Sequence, residues 1–406
     1  MHPDAATLWR GPPWALALLL ATLSMLAPFA IDAYLPAFGG MAAALQASPV
    51  QMQQTLSVFL FGFAAMNLFH GALSDSVGRR PVILASLAVF SLASAGCALS
   101  PSVGWLLFFR ALQGMSAGGG MVVARAIIRD LYPPAQAQRV MSQVTIFFGA
   151  APALAPMIGG LLYTALGWAS VFWLLALIGL AQFAVMWRRL PESLHPSQRQ
   201  PVHLGHLLRG YWQVGASARF LALALASAVP FNGMFIYVLS APAWLGDHLR
   251  LAPTQFFWFF ALSVSGVMAG AWVSGRYAGR LSHRRQVGLG FAVCAAATLV
   301  NLAAHAVLEP HVAWALIPVS VYSFGWSLMV PAVTLILLDL VPERRGMASS
   351  VQSFLGALTN AVVAAVLAPL VMHSATALAL ASAALLLAGA LAWAWVRGGL
   401  PQAGAS

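Results

Sequence analysis

The sequence predicts an all-α membrane protein with twelve transmembrane helices in two pseudo-symmetric six-helix bundles. Three observations predict it. The 406 residues are 61% hydrophobic and 7% charged, where a soluble domain carries roughly 25% charged residues. Mean hydropathy is accordingly high, at +0.84. Twelve stretches reach the roughly 20 apolar residues that cross a bilayer core. The basic residues gather in alternate loops, which is the mark of membrane topology.

The apolar segments cover residues 14–38, 50–73, 81–99, 104–131, 141–166 and 168–187 in the first half. Residues 220–245, 254–274, 287–307, 312–338, 347–372 and 375–396 follow in the second. The first run exceeds the apolar core of a cleaved signal peptide, roughly 7–15 residues, and is expected to stay as the first membrane helix. One alternating set of loops and termini carries nearly all the loop Arg, and the other holds only Arg250. The positive-inside rule places both termini in the cytoplasm, in agreement with an even number of helices. The expected location is a bacterial inner membrane.

Residues 1–187 are read as an N-terminal six-helix bundle and 220–406 as a C-terminal one. Residues 188–219 join them as a cytoplasmic linker that holds Pro191, Pro196 and Pro201. The halves repeat weakly. Ser48-Pro49-Val50-Gln51 returns as Ala252-Pro253-Thr254-Gln255 before the second helix of each half. Asp130-Leu131-Tyr132-Pro133 returns as Asp339-Leu340-Val341-Pro342 after the fourth, and Gln143 and Gln352 follow at equal distance. Repeats of this size belong to transporters whose substrate site lies between two halves near the midplane.

Composition also excludes. All twenty basic residues are Arg. Without Lys there is no Walker A loop and no Schiff base, which rules out an ATP-driven pump and a retinal pump. The net charge of +11 is spread over helix ends, so no nucleic-acid partner is expected. Cys97 and Cys294 lie singly in apolar runs, and His195, His203 and His206 are irregularly spaced without a supporting acid. Neither a metal site nor a cofactor is expected. No helix groups paired acids, or two His with an acid, as a catalytic centre requires. No ring of repeated polar residues suggests a channel. The expected partners are a small-molecule substrate, protons and the lipid bilayer, and the chain is expected to act as a monomer.

Charge inside the membrane is costly and usually functional. Asp32 and Arg110 each lie six residues inside the outer end of their segments. At 1.5 Å per residue both sit roughly 9 Å below that boundary. They are expected to pair or to share a water-filled cavity, with Asp32 as proton carrier. The second and third segments are joined by Gly71-Ala-Leu-Ser-Asp75-Ser-Val-Gly78-Arg79-Arg80-Pro81. Here Gly71 and Gly78 allow a tight reversal. Asp75 is placed to accept from a helix N-terminus, and Arg79 to pair with Asp130. The run Gly149-Ala-Ala-Pro152-Ala-Leu-Ala155-Pro156-Met-Ile-Gly159-Gly160 combines small residues, which let helices approach in lipid, with two Pro that bend the helix. Candidates for the cavity wall are Tyr34, Gln113, Phe231, Asn232, Phe235, Tyr237, Tyr322, Trp326 and Gln352.

These motifs resemble those of the major facilitator superfamily. The loop 71–81 matches its cytoplasmic signature at every fixed position, and Arg110-Ala-Leu-Gln113-Gly114 is similar to its fourth-helix motif for proton coupling. The fifth-helix run is similar to the antiporter motif, with Ala155 where Gly is usual. Asp32-Ala-Tyr34-Leu35-Pro36-Ala37 resembles the first-helix motif of twelve-helix drug:proton antiporters, in particular the bicyclomycin, sulfonamide and chloramphenicol resistance subfamily. The resemblance implies the major facilitator fold and proton-coupled export of small amphipathic drug-like compounds by alternating access. It implies gating by Gly71, Asp75, Gly78, Arg79, Arg80 and Asp130, and sealing of the halves by Gly149, Pro152, Pro156, Gly159 and Gly160. The other reading within transport is proton-coupled uptake of a small metabolite. The second half lacks the signature acid, since 275–284 contains no Asp. A near-neutral aromatic cavity favours neutral or zwitterionic compounds.

Overall fold

A computed structural model describes residues 12–132, 134–199, 204–277, 280–307, 311–341 and 345–398. The described residues form helices and turns with no strand. The chain divides into two compact units, Met1–Leu204 and Gly205–Ser406. The first contains α1 (Pro13–Asp32), α2 (Phe38–Leu45), α3 (Pro49–Val77), α4 (Arg79–Ala98), α5 (Val103–Leu131), α6 (Pro134–Leu166) and α7 (Ala169–Arg189). The second contains α8 (Leu204–Gly215), α9 (Ala218–Leu239), α10 (Phe257–Arg276), α11 (His283–Val307), α12 (Val312–Asp339), α13 (Arg345–Val362), α14 (Ala368–Val371) and α15 (Ala375–Arg397).

Among the described residues, 11 helices are long and apolar enough to cross a membrane. The apolar run Ala151–Leu166, inside the 33-residue α6, supplies the twelfth crossing. Each unit therefore has six crossings, and the same partners pack within each. In the first unit α5 lies against α3 and α4, and α1 lies against α5 and α6. In the second, α12 lies against α10 and α11, and α9 lies against α12 and α13. The sequence repeat thus corresponds to a repeated packing plan. Its cap motif also has a physical basis. Ser48 Oγ accepts from Gln51 N while Gln51 Oε1 accepts from Ser48 N, a reciprocal cap for α3. In the second copy Ala252 has no side-chain acceptor, and only Gln255 Oε1 to Ala252 N remains.

The first segment differs from the expected single helix over 14–38. The helix α1 stops at Asp32, a 3-10 turn follows at Leu35–Ala37, and α2 then resumes. Pro36 is the reason. It has no N–H for the carbonyl four residues back, which is that of Asp32, and its ring crowds that carbonyl. The expected linker is also only partly a loop. Its first two residues, Arg188 and Arg189, still belong to α7, and α8 occupies Leu204–Gly215. Val214 of α8 joins the core of the second unit with Phe220, Ala348 and Val351. His203 falls outside the described residues, while His195 is exposed and bonds to Ser197.

Candidate functional site

The expected pairing of Asp32 with Arg110 is not what the structure contains. Arg110 is fully buried. Its Nη1 donates to Ala30 O at 3.1 Å and to Gln113 Oε1 at 2.6 Å, and its Nε donates to Thr55 O at 3.4 Å. The guanidinium carbon lies 4.2 Å from the Tyr34 ring centre and 4.4 Å from that of Phe59. The break at Asp32 explains this choice. A helix end leaves carbonyls without internal partners, and its dipole favours a cation there. Arg110 therefore caps the broken end of α1. Asp32 is buried at the same end, and its carboxyl has no ion pair or hydrogen bond among the described residues. Arg110 Nη2 is also buried without a partner.

Two expected cavity residues belong to this network. Gln113 passes the contact on, with Nε2 donating to Ser94 Oγ at 2.7 Å. The Tyr34 hydroxyl lies 3.0 Å from Thr55 Oγ1. Both are fully buried and hold the Arg110 wedge between α1, α3, α4 and α5. Thr55 and Ser94 were not singled out from sequence, because a hydroxyl in an apolar helix normally bonds its own backbone.

The antiporter run sits directly against the break. Gly159 of α6 meets the carbonyl of Ala33, so closely that any Cβ there would collide with it. Ala155, Pro156 and Gly160 are buried beside it, Pro152 is half-buried, and Gly149 lies in the helix one turn before Pro152. Two turns further into α2, a Cβ on Gly40 would press into the ring of Tyr163. The small residues thus allow α6 to touch backbone where α1 changes direction.

At the other end of the first unit, the signature loop forms one connected cluster. Arg79 pairs with Asp75 and, at 3.1 Å through Nε, with Asp130. Its Nη1 also donates to Ser74 Oγ at 2.7 Å. The Asp75 side chain is 52% exposed and that of Asp130 is 21% exposed, so Asp130 is the less screened partner. The expected acceptor at the helix N-terminus was Asp75, and here the structure corrects the reading: Glu192 fills that role. Its Oε1 accepts from Arg79 N at 3.0 Å and its Oε2 from Arg80 N at 3.1 Å. Gly78 makes room for it. A Cβ there would lie 2.5 Å from Glu192 Oε2, and its φ of 116° suits Gly alone. Ser193 adds a bond to Asp130 at 2.9 Å, and Arg80 Nη2 donates to Trp187 O at 2.6 Å. Gly71 lies one turn before Asp75 and faces Val122. Sequence reading missed Glu192 because it lies 113 positions from Arg79. Its one signal was its place directly after the sixth segment, as the lone acid among the Arg there.

Several candidates of the second unit lie near Pro230, which sits inside the unbroken helix α9. Tyr322 donates its hydroxyl to Pro230 O at 2.7 Å, and Trp326 Nε1 donates to Ser227 O at 3.0 Å. Asn232 Nδ2 bonds to Ala228 O and, at 2.9 Å, to Asn360 Oδ1. Asn301 donates to the Tyr237 hydroxyl at 2.6 Å. Tyr237, Tyr322 and Asn232 are buried and committed to bonds between helices, as is Phe235 to stacking on Phe231 with 5.2 Å between ring centres. Phe231, Trp326 and Gln352 are half-buried, with Gln352 donating to Thr334 Oγ1 at 3.1 Å. No group of three or more metal-ligating side chains occurs among the described residues.

The profile of the Major Facilitator Superfamily matches residues 20–364. The chain belongs to that superfamily. It is a multi-pass membrane transporter of small molecules. An uncharacterized MFS-type transporter of Bacillus subtilis, YdgK, is 30% identical over 351 residues, covering 86% of this chain and 87% of the relative. A bicyclomycin resistance protein homolog of Haemophilus influenzae is 30% identical over 68% of this chain and 69% of its own. Multidrug resistance protein D of Escherichia coli is 28% identical over 87% of this chain and 89% of its own. Among solved structures, a peptide transporter crystallised with alafosfalin has a TM-score of 0.77 at 16% identity, covering 97% of each chain. A bacterial homolog of the lysosomal transporter Spinster, inward-facing and unoccupied, has a TM-score of 0.69 at 16% identity, covering 98% of this chain and 97% of that one. At that identity the likeness concerns the fold alone.

Proposed function

We propose that this superfamily member exports small amphipathic, drug-like compounds across a bacterial inner membrane in exchange for protons. Both termini are cytoplasmic in this reading, and the chain works as a monomer by alternating access. The observation that carries proton coupling is the buried, unpaired carboxyl of Asp32 at the broken end of a membrane helix. An ionised acid without a partner is costly in such surroundings, which makes Asp32 the group that carries the proton in this reading. It gives the proton up when water or the free Nη2 of Arg110 reaches it. The names borne by the bicyclomycin and multidrug resistance relatives support export as the direction.

The test uses inside-out vesicles from a bacterial host deleted for its own pumps, with an imposed pH gradient, acidic inside. Accumulation of a neutral drug such as chloramphenicol, collapsed by an uncoupler, is the expected result. A panel of amphipathic compounds that shows no gradient-driven accumulation, or proton-driven movement in the opposite direction, would overturn the reading.

A further inference from the structure

Arg125 lies on α5 six positions before its end at Leu131, roughly 9 Å along the helix axis. It shares one face with Met121 and Ile128, spaced four before and three after it. With Ser24 of α1 and with Met141 and Val144 of α6, that face lines a cavity of about 320 Å³ within the first unit. Among the described residues the wall is apolar apart from Arg125 and the Ser24 hydroxyl, and Ser24 Oγ is already bonded to Leu20 O at 3.0 Å. Arg125 has neither an ion pair nor a hydrogen bond among the described residues. The charge that acts on it is Arg129, one turn along the same helix and of like sign. Arg110 provides the contrast within the same helix, since carbonyls and two aromatic rings surround its guanidinium.

A cation in a membrane helix without a counter-charge is costly and normally faces a partner or an aqueous cavity. One that only anchors to headgroups extends along the helix surface, whereas the exposed side chain of Arg125 borders a half-open cavity beside three helices. The cavity has the character of a small-ligand site, with apolar walls and one group that orients the ligand. A guanidinium fork matches a carboxylate in geometry as well as charge. We propose that Arg125 is a substrate-binding residue that takes the carboxylate of an amphipathic acid or zwitterion, while Met121, Ile128, Met141 and Val144 receive its apolar body. This inference rests on the export reading and narrows it. It restricts the expectation of neutral or zwitterionic compounds to those that carry a carboxylate.

The test is equilibrium binding to the full-length protein in nanodiscs of phosphatidylcholine, with norfloxacin and its methyl ester as paired probes. The wild type is expected to bind the acid about tenfold or more tighter than the ester, as a hydrogen-bonded charge pair provides. Arg125→Gln should erase that preference while ester affinity stays the same. Arg125→Lys should keep part of it, because the charge remains without the fork. Equal wild-type binding of acid and ester, no binding of either, or a preference that survives in Arg125→Gln would overturn the proposal. So would acid binding that phosphatidylglycerol abolishes in the wild type but not in Arg125→Gln, since the arginine would then serve a lipid headgroup. Pumping is scored separately in the inside-out vesicles. Acid preference without uphill transport of any compound removes the export reading alone, and uphill transport without acid preference removes this inference alone.

Discussion

Glu192 illustrates how one side chain can join distant parts of the chain. Its two carboxylate oxygens take the first two backbone N–H groups of α4, which no residue inside that helix can satisfy. The negative charge also sits at the positive end of the helix dipole, a contribution of about 0.3–1 kcal/mol at an accessible site. Asp75 and Asp130 meanwhile divide the Arg79 guanidinium. Glu192→Gln keeps the size and an acceptor oxygen but removes the charge and one of the two acceptors. We expect it to lower gradient-driven export severalfold, with membrane-inserted protein near the wild-type level. Unchanged export rates in vesicles would refute a gating role for Glu192. Gly78→Ala is expected to be more severe. It imposes backbone strain of about 1–3 kcal/mol and places a methyl group where the Glu192 carboxylate sits. The combination Gly78→Ala with Glu192→Ala should recover part of the lost activity by removing the collision, a rescue that strain alone does not allow.

At the level of elements, α1 and α6 meet where α1 breaks. Gly159 touches the Ala33 carbonyl, while Gly39, nearby on α2, has nothing within 4 Å of its Cβ position. Overpacking of a close helix contact costs about 1–3 kcal/mol. Gly159→Ala is therefore expected to reduce export at least tenfold, whereas Gly39→Ala should leave it near wild type. Equal rates for the two variants would show that this contact does not matter for transport. The run of small residues in α6 was legible in the sequence, but its contact with Ala33 was not. Apolar length identifies a span, yet Ala, Gly and Pro in one run say only that something comes close. The α1 break had a local signal in Pro36, which the length of the apolar stretch concealed. The twelve spans, the two-unit plan and the signature loop were legible because bilayer thickness, charge bias and turn geometry act locally. Hydrogen-bond partners were not, and Asp32, Arg110, Tyr322 and Asn232 show why. Arg110 takes the Ala30 carbonyl at the broken end of α1, Tyr322 the Pro230 carbonyl and Asn232 the Asn360 side chain, while Asp32 meets no partner among the described residues, and which group lies within reach depends on the packing of other helices.

For the whole molecule, the two units share a packing plan but not their charges. Asp32, Arg110, Arg125 and the cluster of Asp75, Arg79, Asp130 and Glu192 all belong to the first unit. The equivalent loop of the second unit has no acid between 275 and 284. In the proposed function, coupling accordingly falls to the first unit, where Asp32 is the acid within a span that stands apart from the Arg79 cluster. One proton per cycle is then expected. About 2.3 kcal/mol per charge from 100 mV and about 1.4 from one pH unit support a drug gradient on the order of 500-fold. Asp32→Asn should abolish that gradient in energised vesicles while downhill exchange of substrate continues, because the fold does not depend on an ion pair at this residue. A pH-dependent gradient built by Asp32→Asn would show that coupling lies elsewhere. Arg110 separates the remaining alternatives. If Asp32 and Arg110 mattered only as opposite charges that cancel, Asp32→Asn with Arg110→Gln would restore activity, since no unpaired charge remains. The geometry forecasts the reverse. Arg110 caps the broken end of α1 through Ala30 and joins it to Thr55 and Gln113. Arg110→Gln therefore damages the break itself, by about 1.5–3 kcal/mol for hydrogen bonds to a charged group. The double variant should be no better than Asp32→Asn in uphill export and worse in downhill exchange.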